Sequence, residues 1–409
     1  MYDKASIALI PSGFKSGSVN TLYSVLPANG DGDFDHSRSS TATRVNKDGL
    51  IESAGYAPRL DYPLTNGVVG DCPHLLLEPQ RTNLVTYSED FSDSSWVNVN
   101  TTETSSATTS PDGTLNTYKL TKSAANGLIR TFISVSGDYT FSVFLKKDTL
   151  NYARLFIASA VESASVYINL DDGSTGTEIG NPDGVKVEYY GNGWYKCSIN
   201  KNVSTITNFR IYPADGDNDI SGTSGSIFIY GAQVEQGSYA TSYIPTSGST
   251  VSRSRDVCDS AGTSAEFNDS EGVLFAEMAA LANDSTNRYI AISDGTINNN
   301  IVIRIGSNNK VLSRLFRSGS PVGSAITDAS TDTTTNIKVA IVYNNTNHSF
   351  FVNGTKIGNQ VIDSSYSLGT LNRLNFNDGN NSSIFYGKVK QLIYFNEALS
   401  DSELQTLTS

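Results

Sequence analysis

Alternation of apolar and polar residues with a period of two is the main pattern along this chain of 409 residues. In the stretch GDYTFSVFLKK, the side chains of Tyr139, Phe141 and Val143 fall on one face of a strand, and those of Thr140 and Ser142 fall on the other. Similar stretches recur between turns rich in glycine and asparagine, which is typical of antiparallel strands. The pattern therefore predicts an all-β protein.

Turn and cap signals define where several of these strands begin and end. VKVEYYGNGWYKCSI alternates into and out of the turn Gly191-Asn192-Gly193, and the pair Asn353-Gly354 in FFVNGTKIG is typical of a tight hairpin. The clearest helix signal is Ser400 followed three residues later by Glu403, a capping box that opens ALSDSELQTLTS. We therefore predict two antiparallel β-sandwich (jelly-roll) domains and one short terminal helix.

The first fifth of the chain differs from the rest because six of the eleven prolines lie there: Pro11, Pro27, Pro58, Pro63, Pro73 and Pro79. Proline cannot donate to a β-ladder, so this part is predicted to be an irregular, extended segment. Its run Leu75, Leu76 and Leu77 needs cover, which the following sandwich or another subunit would supply. The predicted order is an attachment segment, a first sandwich, a linker and a second sandwich, at residues 1–82, 83–246, 247–265 and 266–409.

Charge and cysteine content narrow the class of protein. The formal net charge of −12 argues against a nucleic-acid partner, because the chain has no basic field to exchange for counterions. Cys72, Cys197 and Cys258 lie far apart, which is typical of assembly in a reducing cytoplasm. The opening MYDKASIALIPSG lacks the basic region of a secretory signal, and no run of about 18 apolar residues predicts a membrane span.

The alternating carboxylates of residues 31–35 suggest a calcium loop, but their surroundings do not fit one. An EF-type loop that starts at Asp31 needs glycine at its sixth position and glutamate at its twelfth, where this chain has His36 and Ala42. A second acidic group at residues 215–219 fails the same test. We expect both groups to be hydrogen-bonded or solvated turns, and we expect neither a metal nor a cofactor.

No arrangement of residues predicts a catalytic centre. The three histidines lie in three different segments and are expected at the surface: His36, His74 and His348. A glycosidase needs two carboxylates about 5–10 Å apart. The acids Glu188, Glu235 and Glu277 lie on predicted strands, yet none has a second carboxylate on the same face. The expectation is therefore a protein that is not an enzyme.

Carbohydrate binding needs an exposed aromatic platform beside groups that hydrogen-bond hydroxyls. Trp194 follows a hairpin turn and points opposite to Tyr195, so one of the two sets on this strand faces outward. The alternative is that Trp194 is a packing residue. Asp378, Asn380 and Asn381 could bind a sugar, although DGNNSS is equally an ordinary turn. These four residues are the candidate ligand-binding residues.

Several segments together resemble known proteins. ALIPSGFKSGSVNTLYSVLP, GDFDHSRSSTATRVNKDGLIE, PRLDYP and HLLLEPQRTNLVTYSEDFSDSSWV resemble the opening of a family of tailed-bacteriophage virion proteins, described as structural, tail-fibre or head-fibre proteins. YYGNGWYKCSI and YGAQVEQGSYATSYIPT are similar to the late strands of the sandwich, like a carbohydrate-binding module, that follows in that family. FFVNGTKIG and KQLIYFNEALSDSELQTL are similar to concanavalin A-like (laminin-G-like) jelly rolls.

This resemblance implies a bacteriophage virion structural protein, a tail fibre or adhesin, assembled in the host cytoplasm. Residues 1–82 would attach it to other virion proteins, and the two sandwiches would present lectin-like surfaces to a host-surface glycan. The resemblance also implies a homotrimer, as is common for phage fibres. Two alternatives remain open: a head fibre or capsid decoration protein, and a tail-associated enzyme that degrades glycans.

Overall fold

The computed structural model describes residues 2–13, 21–22, 24–26, 30–362 and 370–409, so parts of the predicted attachment segment lie outside the described residues. The predicted all-β fold is confirmed: antiparallel strands make up most of the structure. The predicted terminal helix is also confirmed as α1, Asp401–Thr408, with both hydrogen bonds of the Ser400–Glu403 capping box in place. In the part of the chain that is described, no helix is long and apolar enough to cross a membrane.

The strands divide into three groups along the chain. The first 82 residues and Asn83 contribute β1 Ile7–Leu9, β2 Thr21–Leu22, β3 Phe34–Ser37, β4 Thr43–Val45, β5 Ile51–Ser53, β6 Arg59–Asp61, β7 Leu64–Thr65, β8 Val68–Val69, β9 His74–Leu77 and β10 Arg81–Asn83. The central group is β11 Trp96–Val99, β12 Thr101–Ser105, β13 Tyr118–Lys122, β14 Leu128–Thr131, β15 Val135–Lys147, β16 Tyr152–Ser159, β17 Ala164–Asn169, β18 Thr175–Ile179, β19 Gly184–Tyr189, β20 Trp194–Ala214 and β21 Ser226–Gln236. The last group is β22 Val251–Arg253, β23 Val257–Asp259, β24 Gly272–Ala280, β25 Arg288–Ser293, β26 Asn300–Ile305, β27 Val311–Arg317, β28 Ser320–Thr327, β29 Ile337–Tyr343, β30 Asn347–Val352, β31 Thr355–Val361, β32 Arg373–Asn375 and β33 Gly387–Phe395. Two single-turn 3-10 helices, Tyr2–Lys4 and Pro11–Gly13, flank β1.

The central sandwich is organised by β20, a strand of 21 residues. Its first half pairs with β15 and β19, and its second half pairs with β14 and β16. Phe141 lies opposite Ile199 in the ladder, yet its ring centroid is 5.4 Å from that of Phe209, further along β20. An extended strand would separate Ile199 from Phe209 by about 33 Å. The sheet must therefore fold over, so that both halves of β20 line one core.

The second sandwich consists of two sheets with a shared apolar core. The larger sheet has the order β31-β30-β29-β24-β33-β9-β6, and the smaller has the order β28-β27-β26-β25-β32. Their facing side chains, including Leu274, Ile303 and Phe350, form one buried cluster. Helix α1 covers the outer side of the larger sheet, where Leu404 and Leu407 pack in a smaller buried cluster.

The predicted separation of residues 1–82 from the sandwiches is wrong. β9 pairs with β33, β6 pairs with β9, and β1 pairs with the other end of β33. Leu75 and Leu77 are therefore buried in the core of the second sandwich. The cover for these leucines comes neither from the first sandwich that follows them nor from another subunit. The physical reason is that Pro73 and Pro79 border β9 rather than interrupt it, so a short strand fits between them.

The predicted linker at 247–265 is also structured. β22 pairs with β10, and β23 pairs with β3, so both of its strands are held by the first part of the chain. Beside them lies a fully buried group of charges that we call the junction network: Arg38, Arg59, Glu78, Arg253 and Asp256. Its carboxylates each accept hydrogen bonds from guanidinium groups. Segments far apart in the chain are therefore fastened together by buried, paired charges.

Candidate functional site: an arginine–aromatic face on the central sandwich

The structure does not place Trp194 where a sugar could stack on it. Its side chain is 1% exposed, and its Nε1 donates a hydrogen bond to Thr109 O at 2.9 Å. It packs in a buried cluster with Phe144, Tyr243 and Ile51. The expectation that one face of this strand is open to solvent is wrong. The face that carries Trp194 is covered in part by Ile51, which belongs to the first part of the chain.

Asp378, Asn380 and Asn381 lie in one turn, because they are almost consecutive in the sequence. The Asp378 Oδ1 atom accepts hydrogen bonds from the backbone N of Asn380 at 3.0 Å and of Ser382 at 3.1 Å. The Asn381 Oδ1 atom accepts one from Asn377 Nδ2 at 3.2 Å. These groups stabilise their own turn, which is the alternative interpretation of DGNNSS, and their binding to a sugar stays a prediction.

Carboxylates of the acidic groups at residues 31–35 and 215–219 accept hydrogen bonds from neighbouring segments of the chain. Asp33 Oδ1 accepts a hydrogen bond from Ser24 N at 2.6 Å. Asp217 accepts hydrogen bonds from both Thr177 N, at 2.7 Å, and Thr177 Oγ1, at 3.0 Å. Across the described ranges, no group of three or more His, Cys, Asp or Glu side chains could hold a metal ion.

The expectation of surface histidines is wrong, because His36, His74 and His348 are all buried. His36 Nε2 lies 3.5 Å from Asp256 Oδ1, and His74 Nε2 lies 3.1 Å from Asp61 Oδ2. His348 points into the core of the second sandwich, and within the described residues neither of its ring nitrogens has a hydrogen-bond partner. Burial lowers the pKa of His348 from 6.5 to about 4.

This histidine makes stability depend on pH. The folded state binds the proton of His348 less readily than the unfolded chain does, so stability is greatest above pH 6.5 and falls as the pH drops toward 4. Between pH 7 and pH 5, this one group should cost about 2 kcal/mol of unfolding free energy. We expect His348→Phe to remove that part of the pH dependence. Urea unfolding of both proteins at several pH values checks this, and parallel pH profiles would contradict it.

A face rich in arginine and aromatic side chains lies on the outside of the second half of β20. We call the following residues the arginine–aromatic face: Arg130, Phe132, Arg154, Phe156, Ser165, Tyr167, Asn208, Arg210 and Tyr212. They point away from the core because the alternate residues of β20, Phe209 and Ile211, are buried inside it. Cross-strand pairing aligns one row through Arg130, Arg210 and Phe156, with each residue directly opposite the next.

A second cross-strand row of this face consists of Tyr167, Arg154 and Tyr212, and its two rings hold Arg154 in place. Its Cζ atom lies 5.2 Å from the ring centroid of Tyr167 and 5.4 Å from that of Tyr212. Arg154 and Arg210 also lie over the ring of Phe156, at 4.9 Å and 4.8 Å. Stacking of guanidinium on aromatic rings therefore fixes the orientation of both arginines.

The edge of the face near β14 is open to solvent. Phe132, directly after β14, is 58% exposed, and Arg130 Cζ lies 4.7 Å from its ring centroid. Asn208 Oδ1 accepts a hydrogen bond from Arg210 Nε at 2.6 Å, beside the aromatic rings. Asn208 is itself buried, so the groups that a ligand could reach beside Phe132 are the half-buried guanidinium groups of Arg130 and Arg210. An exposed aromatic ring next to guanidinium groups is an arrangement that can bind a saccharide, through its apolar ring face and its hydroxyls.

No single motif reveals this face, although the sequence contains a signal for it. Arginine followed two positions later by an aromatic residue occurs in the segments RTF, RLF and RIY, which begin at Arg130, Arg154 and Arg210, and again in the second sandwich at Arg314. Residues two apart on a strand share a face, so each segment predicts one arginine–aromatic pair. Only the pairing of β14, β20 and β16 brings the three pairs together.

A cleft of about 420 Å³ lies where the first part of the chain, β19 and the second sandwich meet. Its carboxylates are engaged: Asp61 lies against His74, Glu188 Oε1 lies 2.8 Å from Lys186 Nζ, and Glu78 belongs to the junction network. Burial alone would raise their pKa values, but hydrogen bonds and nearby basic side chains outweigh it and lower all three. A glycosidase general acid needs a raised pKa, which these carboxylates do not have.

Comparisons with known proteins give weak similarities. The sequence matches no protein family and no curated protein. Part of the chain is similar to the CBM40 of the Ruminococcus gnavus IT-sialidase, at 16% identity and a TM-score of 0.30, covering 35% of this chain and 84% of that one. The NanB sialidase of Streptococcus pneumoniae matches at 14% identity and 0.29, covering 36% and 25%. A heptameric SAP-like pentraxin of Limulus polyphemus matches at 12% identity and 0.27, covering 34% and 70%.

Proposed function

We propose that this protein is a bacteriophage virion structural protein that binds a glycan on the host surface through the arginine–aromatic face. The virion assignment is supported by the resemblance of residues 7–246 to phage fibre proteins. The observation that carries glycan binding is the exposed ring of Phe132 beside the guanidinium groups of Arg130 and Arg210 on one sheet face. The protein acts in the virion as a binding component and has no catalytic role.

Attachment to other virion proteins, and assembly as a homotrimer, use surfaces of the first part of the chain. Many of its strands are occupied by pairing within the chain, so partners would contact side chains rather than open strand edges. The apolar residues Tyr56 and Val68 are exposed there and would be covered in the particle. Recovery of the chain in purified particles at a fixed ratio to the capsid protein would support this assignment, and its absence from the particles would contradict it.

Replacement of Phe132 by alanine tests the binding proposal. We expect the full chain to bind glycans on an array of neutral and acidic polysaccharides, and we expect Phe132→Ala to weaken that binding about tenfold through loss of ring stacking. Because Phe132 is largely exposed, the substitution should leave the fold intact. Phe316→Ala is the matched control, since Phe316 lies 5.0 Å from Arg314 Cζ in the second sandwich. Failure to bind any glycan, or steady release of reducing ends, would contradict the proposal.

A further inference from the structure

We infer that the ligand of the arginine–aromatic face is anionic: a saccharide whose carboxylate or sulfate group binds between Arg130 and Arg210. This inference rests on the proposed glycan-binding function and names the chemical class of the ligand. It depends on how the structure places positive charge on this face.

Arg130 and Arg210 lie directly opposite each other on neighbouring strands. Like charges in directly opposite positions destabilise a sheet. Among the residues that the structure describes, neither arginine forms an ion pair with a carboxylate, and Arg130 Nε is buried with no hydrogen-bond partner. An anion between the two guanidinium groups would replace this repulsion with two favourable contacts.

Several arginines elsewhere in the protein contact carboxylates. Arg44 Nη2 lies 2.8 Å from Glu52 Oε1, Arg288 Nη2 lies 2.9 Å from Asp284 Oδ1, and the arginines of the junction network all contact carboxylates. The chain has 41 acidic and 29 basic residues, so carboxylates are plentiful. Among the described residues, Arg304 and Arg314 also stack on aromatic rings without forming an ion pair, so a missing carboxylate is not in itself unusual. Arg81 and Arg253 are the closer comparison, because they too lie directly opposite each other, and each has a carboxylate of the chain beside it. Arg130 and Arg210 are directly opposed without such a carboxylate, which indicates a counter-charge supplied from outside.

The contacts of the three arginines indicate a division of roles. Arg154 stacks between Tyr167 and Tyr212, and its Nη2 donates to Ser165 Oγ at 2.9 Å, so it is a positioning residue that adds positive field. Arg210 donates from Nε to Asn208 and from Nη1 to Tyr212, whereas Arg130, among the residues that the structure describes, is held only by its stack on Phe132. Guanidinium groups bind carboxylate and sulfate oxygens in a two-pronged geometry. The anionic group therefore belongs beside Arg130 and Arg210, with the sugar ring toward Phe132.

The test compares acidic polysaccharides with their neutral counterparts, using the full chain. Polygalacturonate is paired with its methyl ester, and dextran sulfate is paired with dextran, each immobilised for biolayer interferometry. We expect the acidic member of at least one pair to bind at least tenfold more tightly than its neutral counterpart. We expect Arg130→Gln with Arg210→Gln to abolish that preference. Arg314→Gln is the control, because Arg314 also stacks on a phenylalanine but lies directly opposite Val302 rather than another arginine, and it should change binding by less than twofold.

The outcomes separate this inference from the proposed function. If neutral and acidic members bind equally, or if the double variant keeps the preference, the anionic assignment is overturned and glycan binding stands. If no polysaccharide binds, both fail. Tighter binding of a DNA oligonucleotide than of either acidic polysaccharide would also overturn the inference. The melting temperature of the double variant should be unchanged or slightly higher, since like-charge repulsion is relieved; a fall of several degrees would assign the arginines a structural role instead.

Discussion

Replacement of Asp256 by asparagine is expected to lower the free energy of unfolding by about 3–5 kcal/mol. The Asp256 carboxylate accepts hydrogen bonds from Arg38 Nη1 at 2.7 Å, from Arg59 Nη2 and from the backbone N of Glu78 at 2.8 Å. All of these groups are buried. An amide of the same shape would leave two buried guanidinium groups without this counter-charge, which is the costly way to break a buried ion pair.

Urea unfolding at pH 7 measures this effect, with Asp171→Asn as the matched control. The Asp171 carboxylate pairs with Lys147 Nζ at 2.5 Å, but both side chains are more than 40% exposed. An exposed ion pair is screened by water and contributes little, so the control should hardly change stability. If Asp256→Asn and Asp171→Asn have the same free energy of unfolding, the junction network does not stabilise the fold as proposed.

Simultaneous replacement of Leu75 and Leu77 by alanine is expected to abolish cooperative unfolding of the second sandwich. Both side chains lie in the core of that sandwich, at no more than 1% exposure. Each leucine-to-alanine change in a core costs about 2–5 kcal/mol, and the sum approaches the whole stability of a typical domain, about 5–15 kcal/mol. Scanning calorimetry should show loss of the transition of the second sandwich while that of the central sandwich remains, since its core is separate.

Leu64→Ala is the control in the same part of the chain. Leu64 lies in the small β7–β8 hairpin and is only half-buried, so its truncation should shift the transition by no more than a few degrees. A double variant whose second sandwich still melts at the wild-type temperature would show that β9 does not belong to that core.

Much of the local structure could be predicted from the sequence. The Gly191-Asn192-Gly193 turn does join β19 to β20, and Asn353-Gly354 does join β30 to β31. Asn353 and Gly354 both have positive φ values, 45° and 78°, as a tight hairpin turn requires. These predictions succeed because turn and cap preferences depend on residues only a few positions apart.

The candidate site was predicted less well. The alternation around Trp194 correctly indicated that it points opposite to its neighbour, which faces the sandwich core. Alternation reports that the two faces of a strand differ, but it does not report what covers each face. Here Ile51, more than a hundred residues earlier, helps to cover the second face, and the aromatic residue that is exposed is Phe132.

The amino-acid sequence alone determined the strands, their turns and the terminal helix, because each of these depends on contacts between residues close together in the chain. The tertiary structure decided which sheet received β9, which charges were buried in the junction network, and which arginines met on the outer face. Arg130 and Arg210 became neighbours only when β14 paired with the far end of β20. Such pairings join residues far apart in the chain, and their energies come from burial and charge contacts that exist only in the folded protein.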